Sequence, residues 1–138
     1  LVTEIKEIAR MANQLYPKAK QAFLGALIDM DTDDIRACLT RTAYNASHEF
    51  LSSITDIVAT SSQLTSPTIT DGVFDSADFV YPSVAAGAAT NFIVLYKNTG
   101  TAGTSRLIAH IDTASGLPVT PDGTNINVNV NASGWFTL

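Results

Sequence analysis

The chain has 138 residues, of which 46% are hydrophobic and 15% charged, with a formal net charge of −5. That length fits one domain and leaves two cores cramped, and the composition excludes a disordered chain, which pairs low hydrophobicity with high net charge. Only Lys97 and Arg106 are basic after residue 57, which excludes a basic stripe along the second half for nucleic-acid phosphates.

Residues 1–57 carry 14 charged side chains and residues 58–138 carry 7. The first stretch reads as mixed helix and strand, the second as strands and turns. Residues 1–10 look like an extension ahead of a single β-rich domain over 11–138. Met11-Ala12-Asn13-Gln14 reads as an ordinary protein start. Lys6-Glu7 can be encoded by a purine-rich ribosome-binding sequence, so the extension fits a translated leader. The alternative is an amphipathic helix, with Val2, Ile5 and Ile8 at three-residue spacing.

Tyr16 to Gly25 suits a short helix, with Pro17 at its first position, where no N–H partner is needed. Ala19, Ala22 and Phe23 share one face, and Gly25 is its end. Asp29 to Asp34 is an acidic turn, and Ile35 to Arg41 reads as a strand. Asn45-Ala46-Ser47-His48-Glu49 has the look of a capped helix start, with Phe50, Leu51 and Ile54 facing the core. Strand signals dominate after Val58. Leu64 and Ile69 lie among hydroxyls, Asp71-Gly72 is a turn before Val73-Phe74, and Phe79-Val80-Tyr81 precedes Pro82. Phe92-Ile93-Val94-Leu95-Tyr96 is a continuous apolar run that fits a central strand buried on both faces. Arg106 to Ile111 returns as its antiparallel partner.

From Asn125 to Asn131, Ile126, Val128 and Val130 alternate with Asn125, Asn127, Asn129 and Asn131. Period two puts aliphatics on one face and amides on the other. Phe92, Val94, Tyr96, Leu107, Ile126, Val128 and Val130 are expected in one β core. The chain closes on Trp135, Phe136 and Leu138. Termini fray unless tied down, so this end is expected to pack as a strand bordering a subunit contact, with the amide row beside it. The bland readings are a solvated amide face and aromatics that complete the core. The fold class expected is mainly β with minor α. It is an antiparallel β-sandwich or barrel-like domain with one or two short helices in the N-terminal half.

Chemistry-bearing residues are few. Asp29, Asp31, Asp33 and Asp34 resemble the opening of a calcium loop, but Asp34 and Thr40 stand where its turn glycine and closing carboxylate belong. The acidic turn is therefore read as polar structure, and no metal or other cofactor is expected. Cys38 is the single cysteine and reads as a small strand residue. His110 reads as a half-buried strand residue and His48 as a solvated one. Asp71, Asp75 and Asp78 sit around turns, where Asp serves the backbone. No Gly-x-Ser-x-Gly elbow or phosphate-cradling glycine loop occurs. No apolar run reaches the roughly 20 residues of a membrane span. Neither enzyme activity nor a nucleic-acid or membrane partner is expected.

Residues Ala12 to Leu24 and Ile28 to Arg36 resemble the opening of small virion proteins of tailed bacteriophages. So do Asp71-Gly72-Val73-Phe74-Asp75-Ser76-Ala77-Asp78 and the stretch Ser105 to Pro118. The resemblance runs over residues 12–138, and residues 1–10 precede the usual beginning. It implies a structural part of the phage particle, made in the host bacterial cytoplasm and carried in the virion. The particular reading is a capsid decoration or cement protein. The major capsid protein or other virion proteins are then the expected partners, beside self-association in a homo-oligomer. The alternative role is a tail-tip, fibre-associated or host-glycan-binding module using the amide face.

Overall fold

A continuous apolar run can leave neither face in water, and Phe92–Lys97 occupies the centre of the largest sheet. The structure is a computed structural model that describes residues 4–8, 14–112 and 114–138. In chain order the elements are β1 (Glu4–Ile8), β2 (Gln14–Leu15), α1 (Pro17–Leu24), β3 (Ile35–Thr40), a 3-10 turn (Leu51–Ser53), β4 (Ile57–Thr60), β5 (Thr68–Thr70) and β6 (Val73–Asp75). They continue with β7 (Phe79–Tyr81), β8 (Phe92–Lys97), β9 (Leu107–Ile111), β10 (Ala114–Ser115), β11 (Ile126–Val128) and β12 (Phe136–Thr137).

The strands form three sheets, in the orders β2-β9-β8-β3-β4, β10-β1-β11-β7 and β12-β6-β5. Among the described residues pairing is antiparallel except between β1 and β11, which run parallel. β8 pairs β3 from Phe92↔Thr40 to Lys97↔Ile35 and pairs β9 on its other side. The chain is thus mainly β, as its composition and alternation indicate.

Side-chain alternation along β8 divides the interior in two. Ile93 and Leu95 join the main core with Ala37, Leu39, Ile108, Ile111, Ile126, Val128, Phe74, Trp135 and Phe136. That core draws on all three sheets, so the five-stranded sheet packs over the two smaller ones. Val94, Tyr96, Leu107 and Cys38 face the other way and meet Tyr16, Ala19 and Ile54. The expected single core is therefore two, because a central strand buried on both faces needs cover on each side. Phe92 and Val130 are only half-buried.

Helix α1 starts with Pro17 in its first turn, and Gly25 caps its end. The left-handed residue after the cap is Ala26 (φ 57°), where Leu27 N–H reaches back to the Ala22 carbonyl at 2.8 Å. It is the one α-helix among the described residues. The second helix expected from Asn45 is instead an Asx turn, with Asn45 Oδ1 accepting from Ser47 N–H at 2.9 Å, followed by the 3-10 turn. Arg106 holds this stretch: it pairs with Glu49 at 3.0 Å and lies over the Phe50 ring. Tertiary anchors and a local side-chain turn outcompete helix there.

The helix alternative for residues 1–10 is also replaced. Glu4–Ile8 is a strand between β10 and β11, and Ile5 is fully buried. Residues 1–3 and 9–13 lie outside the described residues.

A candidate interaction face

The hairpin of β5 and β6 builds one wall of the site. Its two-residue turn, Asp71 (φ 51°) and Gly72 (φ 80°), has the left-handed pair that a tight hairpin demands. Register then lines up Ile69, Phe74 and Phe136 across β5, β6 and β12. The Phe74 and Phe136 rings stand 5.8 Å apart, and Phe136 meets Phe23 of α1 at 6.3 Å. Opposite this row run Phe23, Ala26, Ile28 and Met30, from the end of α1 and the turn after it. Between them lies a groove of about 420 Å³, with Leu138 also in its lining.

Four large apolar side chains in the segments that build the groove are exposed. Leu24 is 92% exposed, Leu138 63%, Ile69 53% and Leu27 50%. Ile69 and Leu138 line the groove, while Leu24 and Leu27 alternate in the chain with Phe23, Ala26 and Ile28, which do. Sequence reasoning found Leu138 but missed Leu24, Leu27 and Ile69. The available signal was Leu24-Gly25-Ala26-Leu27, apolar residues continuing past the end of a helix whose buried face was already complete.

The amide row does not form one ladder. β11 spans only Ile126–Val128 and lies inside its sheet, between β1 and β7. Asn125 Oδ1 accepts from Ser83 N–H at 2.8 Å, and Asn131 Oδ1 accepts from Ser133 N–H at 2.7 Å. Asn129 N–H donates to the Ile5 carbonyl, and Asn127 is exposed on the face opposite Ile126 and Val128. The C-terminal residues also divide. β12 is the expected strand, paired with β6. Trp135 is fully buried, with its indole N–H donating to Ser76 Oγ at 2.7 Å, and Phe136 is buried beside Phe74. Both complete the chain's own core, and Leu138 alone of the three reaches the surface.

Most of the acidic groups singled out in the sequence are tied into local structure. In the acidic turn, Asp29 Oδ1 accepts from Asp31 N–H and Asp33 Oδ2 from Asp29 N–H. Asp33 pairs with Lys97 at 2.9 Å, and Asp34 with Arg36 at 2.9 Å. The Arg36 guanidinium holds the Asp34 carboxyl below the usual carboxylate range. Asp78 accepts from Val130 N–H, and Asp75 from Ser76 N–H. Burial pushes the Cys38 thiol up to about 12, the state of an inert core cysteine. His110 is more buried than expected, at 3% exposed, against Phe92, Tyr44 and Tyr16. Tyr16 Oη and His48 Nδ1 are buried without a hydrogen-bond partner among the described residues.

Fold and face define a β-rich domain of largely antiparallel sheets that presents an apolar groove beside an open strand edge. No protein-family model matches the chain, and no curated protein matches its sequence.

Proposed function

We propose that the chain is a structural component of a tailed-phage virion, a capsid decoration or cement protein that binds the major capsid shell. The observation that carries this reading is the apolar face. Leu24, Leu27, Ile69 and Leu138 remain exposed on a domain whose own core is filled by Trp135, Phe136 and their neighbours. Ile69 and Leu138 line an apolar groove as well as being exposed, and exposed apolar surface beside such a groove marks contact with another protein. The likeness of residues 12–138 to small phage virion proteins supports the class of particle. The low charge content fits a surface partly covered by neighbours. A cement protein adds buried area between capsomers and so resists internal pressure.

Purified heads test the assignment. The chain is expected in a fixed ratio to the major capsid protein by quantitative mass spectrometry, with its density on the outer shell. Recovery of the chain only from infected-cell lysate, never from particles, would overturn the reading.

A further inference from the structure

We propose that two copies of this chain join edge to edge through β5, antiparallel about Ile69, as a two-fold dimer. The inference stands on the strand geometry and does not rest on the virion reading.

β5 is the outer strand of its sheet, and all three of its residues are exposed. The hairpin turn fixes which backbone groups face outward. A two-residue turn closes on a hydrogen-bonded pair, here Thr70↔Val73, so the next pair, Ile69↔Phe74, is a non-bonded one. Phe74 accordingly turns its carbonyl the other way, where it accepts from Trp135 N–H at 2.7 Å. By the same alternation, the Ile69 N–H and C=O point away from β6, toward the open edge.

This edge is complementary to itself. With Ile69 opposite Ile69 of the second copy, the two residues exchange both backbone hydrogen bonds. Thr68 then faces Thr70, and Pro67 faces Asp71. No like charges oppose one another, which matters for a chain of net charge −5. Pro67 brings no N–H to be stranded, and its carbonyl meets the Asp71 N–H.

The side chains match as well. A two-fold axis perpendicular to the sheet keeps each face on its own side. The row Phe136–Phe74–Ile69 therefore continues into Ile69–Phe74–Phe136 of the second copy, and one apolar stripe crosses six strands. An exposed strand edge beside apolar side chains is a liability in a monomer, and an isologous contact closes it. Three residues of pairing are small beside the roughly 1,200–2,000 Å² of a stable interface. Ile69 and Leu138, both exposed and both lining the adjoining groove, add apolar surface to that pairing.

Light scattering on the full chain is expected to give twice the 14.6 kDa chain mass, falling toward the monomer on dilution. Ile69→Lys should return the monomer with unchanged circular dichroism and the melting temperature of wild-type protein diluted to monomer, because Ile69 is half exposed and outside the buried core. In a hydrogen-bonded antiparallel pair the Cα atoms lie about 5.5 Å apart, within disulfide reach. Ile69→Cys should therefore cross-link two copies under mild oxidation and release them with reductant, while buried Cys38 does not compete. A wild-type monomer at every concentration, an odd-numbered assembly, or a dimer that survives Ile69→Lys would each overturn the proposal, as would failure of Ile69→Cys to cross-link. A monomer recovered from heads would sink the dimer alone, and a dimer absent from heads the virion reading alone.

Discussion

His110 lies on β9 with its ring 4.6 Å from Phe92 and 5.7 Å from Tyr44, and its Nε2 stands 3.2 Å from the Thr42 carbonyl. A neutral ring with its proton on Nε2 donates to that carbonyl. Burial lowers the pKa from its ordinary 6.5, and the neighbouring His48 adds to this, while the Thr42 carbonyl and Asp112 work against it. A depressed histidine pKa means that the unfolded chain takes up the proton first. Stability is therefore unaffected above about pH 6.5, falls as pH drops from there toward the folded-state pKa, and levels off below it. Urea unfolding at about pH 7.5 and about pH 5.5 should show this loss, and His110→Phe should flatten the slope across that window. The lowered carboxyl of Asp34 acts in the same direction but only at more acidic pH, below the ordinary value of 3.8. An unchanged slope in His110→Phe would mean that the imidazole takes up its proton over the same pH range in the folded and unfolded chain.

At the scale of the element, β11 shows what period two decides. Ile126 and Val128 are fully buried, and Asn127 between them is exposed. Val128→Ala should cost about 1–2 kcal/mol through lost burial and a residual cavity. Asn127→Ala should change stability by less than about 0.5 kcal/mol. Urea midpoints ranked the other way round would reverse the strand's faces. β12 depends on its backbone instead. Gly134 has φ 88°, and a Cβ there would lie 2.6 Å from both the Phe74 carbonyl oxygen and Val73 Cγ1. Only glycine lets Trp135 N–H reach the Phe74 carbonyl and carry the indole into the core. Removing Trp135 to Leu138 therefore takes away core as well as surface, whereas substitutions at Leu138 or Ile69 address the surface alone.

Across the whole molecule, the five-stranded sheet separates two apolar clusters, and Cys38 sits in the second with no exposed surface. Both β3 neighbours, β8 and β4, are hydrogen-bonded to it over several residues, so exposing the thiol requires breaking sheet pairing. With its thiol pushed up to about 12 by burial, Cys38 should resist an aromatic disulfide reagent in native protein. It should react fully once urea passes the unfolding midpoint, with a rate that tracks the unfolded fraction. Fast labelling below the midpoint would reveal an independent opening of the β3–β4 edge. That edge is shorter than the β3–β8 pairing and carries a register shift at Leu39 and Thr40.

Much of this molecule follows from local order in the sequence. Pro17 and Gly25 delimit α1, Asp71-Gly72 closes the hairpin, and the unbroken run from Phe92 to Tyr96 becomes the central strand, because each is set by backbone sterics or by a period that neighbours enforce. Long-range pairing decided the rest. Residues 4–8 have helical spacing but lie as a strand beside β11, more than a hundred positions away. Asn45 begins a turn where a helix was expected, because Arg106 and the β9 edge claim that segment. The four asparagines alternate perfectly, yet Asn125 and Asn131 are spent on the backbone of nearby turns. The groove was the least legible feature, since it joins the end of α1, β5 and the last residue of the chain. Periodicity reports which face a residue takes within its own element; which elements meet is settled only when distant segments compete for the same buried area.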